Sequence, residues 1–262
     1  MKPFIKWQGG KRRELPNIQR YIPSTTTSIV EPFCGGAAVA FNYELPTVLN
    51  DFDGKLINLY KYVRDDVSRF LDDITKFKAY TDEQRSDAYY EFRSYLNANP
   101  NENSYEAAIA FLYIRQQCFS GMVRYNSKGE FNVPWGRYKT FSCTLSTEHS
   151  KYLEQCDIIN GDAIDCLDAI KDPNSFIFID PPYLERAGYV EGDGGIALHQ
   201  RLADKLLTMP NPFLIVHTRH DFYLNAYKDC IIDVIPFKYA QQFRRANYDA
   251  DVKHLYITNL GT

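Results

Sequence analysis

Asp180-Pro181-Pro182-Tyr183 sets a carboxylate, two prolines and an aromatic ring side by side, directly after the apolar run Phe176 to Ile179. Four consecutive apolar residues fit a strand covered on both faces. Neither proline has an N–H for a neighbouring strand, and each biases the residue before it toward extended geometry. The strand therefore stops, and Asp180 is delivered at the carboxyl edge of a sheet, where open α/β folds bind ligands. The tip offers two acceptors, the Asp180 carboxylate and a carbonyl held rigid by the prolines, together with the flat face of Tyr183. Two acceptors match the two N–H groups of an exocyclic amine, and a ring face matches an aromatic base. A proline-rich turn after a core strand would carry the same residues without chemistry, so the remaining pattern decides.

Two further runs end in acids. Thr47 to Asp51 does so roughly 20 residues after the first strand begins, the offset at which doubly wound folds hold ribose hydroxyls; Asp51 would alternatively cap a helix from Gly54 to Val63. Cys156 to Asp162 repeats the pattern. Upstream, Ser28 to Phe33 is expected to be a strand leading through Cys34-Gly35-Gly36 into a helix from Ala37 to Leu45, the opening of a doubly wound unit with a helix N-terminus beside a crevice. Phe4-Ile-Lys-Trp7-Gln-Gly9-Gly10-Lys11-Arg12-Arg13 adds an aromatic, two glycines and cations before any regular element. Three strand-end acids, a glycine turn and an aromatic suit a nucleoside-like ligand. Neither a Walker sequence nor a nucleophile motif nor a metal-ligand spacing accompanies them.

The elements that position these residues read as α/β. The chain has 262 residues, 45% hydrophobic and 24% charged, enough for one large domain or a domain with an insertion. A net charge of -3 announces no global field for nucleic acid, although DNA-facing charge can be local. Six cysteines without a C-x-x-C pair fit reduced thiols in a cytoplasmic protein, and no apolar run is long enough for a membrane span. Strands are expected at 213–217, 231–235 and 252–258, helices at 197–207 and 221–226, and a lid at 184–195. Residues 1–55 and 146–262 form the sheet domain on this reading, and 56–145 a helical insertion with helices at 66–77, 82–97 and 105–119. The end of the insertion, Phe119 to Lys139, interleaves cations, aromatics and turn residues, with a hairpin expected at 120–139 and its turn at 127–129. Such a surface suits a nucleic acid, the cations meeting phosphates and Asn or Arg reading base edges. Arg244 and Arg245 sit in a connection without periodicity.

With these strings assembled, the chain resembles the Dam-like, or α-group, DNA N6-adenine methyltransferases. The likeness runs in order through Phe4-Ile-Lys-Trp7-Gln-Gly-Gly-Lys11, Glu31-Pro-Phe-Cys-Gly-Gly36, Asn50-Asp51, Arg124-Tyr-Asn126, Phe131-Asn-Val-Pro-Trp-Gly-Arg-Tyr-Lys139 and Asp180-Pro-Pro-Tyr183. It implies a Rossmann-like methyltransferase sheet using S-adenosylmethionine, with Trp7, Lys11, Phe33, Gly35, Asp51, Asp162 and Asp180 as cofactor contacts. The insert becomes a target-recognition element on double-stranded DNA, with Ser120, Met122, Arg124, Asn126, Arg137 and Lys139 as contacts and GATC as the target. Neither metal nor membrane enters, and a monomer is expected. Family members usually have Asn where Ser120 stands, and a further glycine is common at Ala37.

The implied reaction is methylation of N6 of a flipped-out adenine. Asp180 and the Pro181 carbonyl would accept the amine's N–H bonds, Pro182 would stiffen the tip and Tyr183 would stack on the base. An N4-cytosine methyltransferase would use the same geometry, usually with Ser in place of Asp180. A glutamine-side-chain methyltransferase, whose tip typically begins with Asn, and a non-catalytic DNA-binding module are the other readings.

Overall fold

The computed structural model describes residues 1–184, 195–237 and 252–261. Most of the lid expected at 184–195, and the connection carrying Arg244 and Arg245, lie outside them. Runs rich in β-branched and aromatic residues form seven strands: β1 Ser28–Glu31, β2 Thr47–Asp51, β3 Cys156–Asn160, β4 Ser175–Ile179, β5 Phe213–Thr218, β6 Ile231–Phe237 and β7 Val252–Thr258. Their order across the sheet is β3-β2-β1-β4-β5-β7-β6. The first five run parallel, and β7 is antiparallel to both its neighbours.

Period-two alternation covers both faces of this sheet. Ile29, Phe176, Phe178, Leu214, Val216 and Tyr256 face one way, with Ile18 and Val39. Val30, Ile177, Ile179, Phe213, Ile215, Leu255 and Ile257 face the other, with Leu198, Leu202 and Tyr223. All five residues of β4 are buried, as its continuous apolar run demands. Because β1 and β4 are neighbours while the chain leaves them in opposite directions, a crevice opens beyond their carboxyl ends.

Ten α-helices are seen among the described residues. The short α1 (Leu15–Ile18) precedes the sheet, α2 (Ala38–Tyr43) follows β1, and α3 (Gly54–Asp65) follows β2. Then come α4 (Val67–Ala79), α5 (Asp82–Ala98) and α6 (Tyr105–Gln117), the three expected in the insertion, before α7 (Thr147–Leu153), α8 (Ala163–Asp168), α9 (Ile196–Leu206) and α10 (Asp221–Ala226). Every residue of α6 except Glu106 is buried, which makes it the central post of the helices between β2 and β3 rather than an amphipathic surface helix. Sequence periodicity does not reveal α7 and α8, which are under two turns or close to it. Their start signals are present, in the Ser146 cap of α7 and the Asp162 cap of α8. Both expected strand ends at 33 and 162 move inward, since Pro32 cannot continue a ladder and Gly161-Asp162 turn into α8. No helix among the described residues is long and apolar enough to cross a membrane.

One buried polar pair fastens the N-terminal segment to the sheet. The Glu14 carboxylate lies 2.7 Å from Nδ1 of His254 and accepts the Tyr256 hydroxyl at 2.7 Å, both from β7. Burial pushes this carboxyl up, but the His254 bond, the charge of Lys11 and the Tyr256 bond outweigh it, and it sits below the usual glutamate range. A depressed folded-state value means that the stabilisation is present above the ordinary carboxylate range and is lost as pH falls through the folded value. Glu14→Ala is expected to lower the unfolding free energy by about 3 kcal/mol in urea near neutrality, with the gap to wild type narrowing in acid. A gap that stays constant down to about pH 3 would count against this anchor.

Candidate functional site

The crevice beyond β1 and β4 holds a cavity of about 360 Å³, within the size range of small-ligand sites. Its walls bring together Trp7, Lys11, Phe33, Gly35, Asp51, Asp162, Asp180, Pro181, Pro182 and Tyr183, every residue expected at the cofactor and catalytic positions. Among the described residues its ionisable lining consists of Glu31, Asp51, Asp53, Asp162 and Asp180 against Lys11, five acids to one base. Such a cavity favours a cationic ligand and disfavours a polyphosphate.

The acids are not equivalent. Asp180 bonds through Oδ2 to the Lys11 ammonium at 2.6 Å, and the same ammonium donates to the Gly9 carbonyl at 2.8 Å. Lys11 is 3% exposed, whereas Asp180 keeps 21% of its side-chain surface and so faces the cavity. Burial raises the Asp180 carboxyl above the usual aspartate value, with Lys11 opposing the rise. Asp51 accepts the N–H of Gly35 at 2.9 Å on Oδ2 and that of Asp53 at 3.0 Å on Oδ1; burial pushes it up to about 6 against those bonds. Asp162 is the cap of α8, accepting from the Ile164 N–H at 2.7 Å, and pairs with Arg201 at 3.2 Å. Glu31, the last residue of β1, was not singled out in the sequence. It is buried, accepts the Ala40 N–H at 2.7 Å, and burial pushes it up to about 8, the Ala40 bond working against the rise and the nearby Asp180 adding to it.

Glycine and aromatic residues shape the other wall. Gly35 has φ +45°, and a Cβ there would lie 2.5 Å from Nε1 of Trp7, so the glycine is required both by its backbone and by the indole against it. Phe52, next after Asp51, leaves 68% of its surface open at the cavity, an exposed aromatic face that the sequence reading passed over. Its signal was its position: the residue following a strand-end acid has no core to enter.

At the tip, Tyr183 is 8% exposed, its ring edge-on to His217 at 4.8 Å and to His254 at 6.0 Å, with the Lys11 ammonium 5.3 Å from its centroid. Burial pushes His217 down to about 3. The neutral ring donates from Nδ1 to the Thr218 carbonyl at 2.7 Å and accepts the Leu184 N–H on Nε2 at 3.4 Å, bracing the chain just past the tyrosine.

In the basic-aromatic segment two isolated antiparallel bridges, Tyr125 with Phe131 and Cys118 with Trp135, fold the chain back as a hairpin. Its turn is closed by Gly129 N–H to Asn126 O at 3.0 Å, with Gly129 at φ +75°. The Asn126 amide is engaged in that turn: Oδ1 accepts the N–H groups of Lys128 and Glu130, and Nδ2 donates to Glu130 at 2.8 Å. Arg124 is exposed and rests on Asn132, through Nε to Oδ1 at 2.7 Å and Nη2 to the carbonyl at 3.0 Å. Arg137 and Lys139 are exposed, and Met122 packs partly against the core. Ser120 has φ +56°. Asn adopts that left-handed geometry more readily than Ser does.

Comparison with known proteins follows the same residues. A family model described as D12 class N6 adenine-specific DNA methyltransferase matches residues 7–243. The chain is similar to the Type II methyltransferase M.CviBI of Paramecium bursaria Chlorella virus NC1A, at 35% identity over 99% of this chain and 100% of that protein. It is similar also to the Type II methyltransferase M.MjaIII of Methanocaldococcus jannaschii, at 35% over 70% of this chain and 69% of the relative. A DNA adenine methylase of Haemophilus influenzae matches at 33% over 84% and 80% respectively. With the family model spanning most of its length and the strand-end acids gathered in one crevice, this chain belongs to the D12 class of N6 adenine-specific DNA methyltransferases.

Proposed function

We propose that the chain transfers the methyl group of S-adenosylmethionine to N6 of an adenine turned out of double-stranded DNA, at GATC or a closely related site. The observation that carries this reading is Asp180 at the mouth of the acidic cavity: Oδ2 is held by Lys11 and no bond to Oδ1 occurs among the described residues. Oδ1 and the carbonyl of Pro181 would accept the two N–H groups of the base. The exocyclic nitrogen is a poor nucleophile because its lone pair is delocalised into the ring, and fixing both hydrogens turns that pair toward attack. Tyr183 supplies a ring edge or face to the base, braced by His217.

The cavity fits the cofactor. S-adenosylmethionine supplies an electrophilic methyl group on a positively charged sulfonium, which the excess of carboxylates suits. Asp51 would accept from ribose hydroxyls, Phe52 and Phe33 would cover the nucleoside ring, and Gly35 with Trp7 would allow close backbone approach. Glu31 is the buried acid available to a ligand ammonium. Residues 56–145 would be the target-recognition insertion, with Arg124 reading guanine through O6 and N7, Ser120, Met122 and Asn126 beside it, and Arg137 and Lys139 on phosphates.

For catalysis, Asp180→Ala should lose methyl transfer by several orders of magnitude while still binding duplex, and Tyr183→Ala should lose roughly 1–3 kcal/mol of transition-state stabilisation. Because burial raises the Asp180 carboxyl, kcat/KM should fall on the acid side above the ordinary aspartate value, and Lys11→Met should move that limb to higher pH. Ready turnover by Asp180→Ala in a radiolabelled methyl assay would move the reaction elsewhere.

Cofactor affinity should depend on Asp51 in the same sense. Its carboxyl, at about 6, must be ionised to accept hydroxyl hydrogens, so affinity should decline as pH drops through that value, and Asp51→Ala should bind at least tenfold more weakly, about 1.4 kcal/mol. Calorimetric titration across pH checks both, and a flat profile with wild-type affinity in the variant would remove Asp51 from the site.

For the target, methylating a randomised duplex library and sequencing the modified sites should return GATC with relaxation at one neighbouring position. Arg124→Ala should broaden that consensus, whereas Arg137→Ala and Lys139→Ala should weaken all sites alike and flatten the salt dependence. A consensus without GATC rejects the target, and an unchanged consensus in Arg124→Ala rejects the reader.

A further inference from the structure

Arg115, two residues before the end of α6, is 2% exposed. No carboxylate pairs with it among the described residues, and its charge is met by carbonyl dipoles instead. Nη1 donates to the Met122 carbonyl at 2.9 Å, and Nη2 donates to the carbonyls of Lys6 and Gly121 at 3.0 Å each. The guanidinium carbon also lies 5.1 Å from the centroid of the Trp7 ring.

Those carbonyls belong to two separate segments. Lys6 immediately precedes Trp7 on the cofactor side, while Gly121 and Met122 lead into the hairpin. A second tie joins the same segments, the Val123 N–H donating to the side-chain oxygen of Gln8 at 2.9 Å. Val123 and Tyr125 line the cavity together with Trp7 and Gln8, so residues 6–8 and 121–125 form one wall fastened by Arg115 and Gln8. A buried arginine that only closed a turn would need partners in one segment. This one holds the two segments that serve different ligands.

We propose that Arg115 is a positioning residue that couples the two ligands of the reading above, on which this inference rests. Filling the cavity against Trp7 orders residues 6–8, and the guanidinium passes that order to residues 121 and 122 and so to the hairpin that meets DNA. Coupling of this kind is reciprocal, so duplex binding tightens the cofactor by the same factor. A lysine ammonium keeps the charge but lacks the planar fork that spans three carbonyls, so Arg115→Lys separates charge from geometry.

The test is the affinity for a GATC duplex with and without saturating S-adenosylhomocysteine, the unreactive product, in the full chain. Wild type is expected to bind the duplex at least tenfold tighter with the product present. In Arg115→Lys the factor should drop below about threefold while affinity for the product alone stays within about threefold of wild type, a split that simple loss of stability does not produce. Gln8→Ala, which removes the second tie and keeps the guanidinium, should also reduce the factor by at least about half, and it decides the matter if Arg115→Lys does not melt cooperatively. Methyl transfer by wild type combined with an undiminished factor in the folded variants, or with no coupling in wild type, overturns this inference alone. Absence of methyl transfer by wild type overturns the functional reading and this inference with it.

Discussion

The ion pair between Lys11 and Asp180 is the constraint on which the site depends. A lone carboxylate withdrawn from water at a sheet edge would be strongly destabilising, and a lone ammonium equally so. Together at 2.6 Å they are tolerable, provided that neither can move away. The fold meets that condition with a succession of short links. The Lys11 ammonium also holds the Gly9 carbonyl, the Glu14 N–H closes onto the Lys11 carbonyl, and the Glu14 carboxylate is locked by His254 and Tyr256 on β7. Residues far apart in the chain, at 11, 14, 180 and 254, thus belong to one electrostatic unit, with the Asp180 tip at one end and the antiparallel strand at the other.

The hairpin is held from α5 by side chains that bond to its main chain. Tyr89, Arg93 and Asn97 recur every four residues along one face of α5. The first two donate to the Val133 carbonyl, and the Asn97 amide both donates to and accepts from the Phe131 backbone. The second strand of the hairpin therefore rests on a ladder of side chains where a sheet would have supplied main chain. Its outer residues, Arg124, Arg137 and Lys139 among them, are left on the surface.

Much of this was legible in the residues. The apolar run into Asp180, the proline stop and the Thr47 to Asp51 strand specify local geometry strongly, and β2, β4 and β7 have the bounds that their patterns require. The short α7 was not read from the residues although the Ser146 start signal is present, whereas α10, no longer than α7, was. Glu31 was hidden by its neighbours: within a string that reads as a glycine turn, a buried acid looks like the end of a strand. The engagement of Asn126 with its own turn and of Arg115 with three carbonyls depends on tertiary placement, which composition and spacing do not encode. Ser120 is intermediate, since a serine in left-handed backbone becomes intelligible only once its φ is known.

One hydrophobic cluster runs without a break from the β2 and β3 edge of the sheet into the helices that the chain forms between these strands. Leu49 and Ile158 of the sheet and Phe41 of α2 share one continuous cluster with Leu59 of α3, Phe77 of α4, Tyr89 of α5, most of α6, and Phe131 and Val133 of the hairpin. An element packed in this way is not a cartridge. Exchanging these helices as a block between relatives would tear the interior of the recipient, whereas single substitutions on the exposed edge of the hairpin would leave the scaffold intact. On this fold the exposed edge of the hairpin is therefore free to vary one side chain at a time, while the helices behind it must change together or not at all.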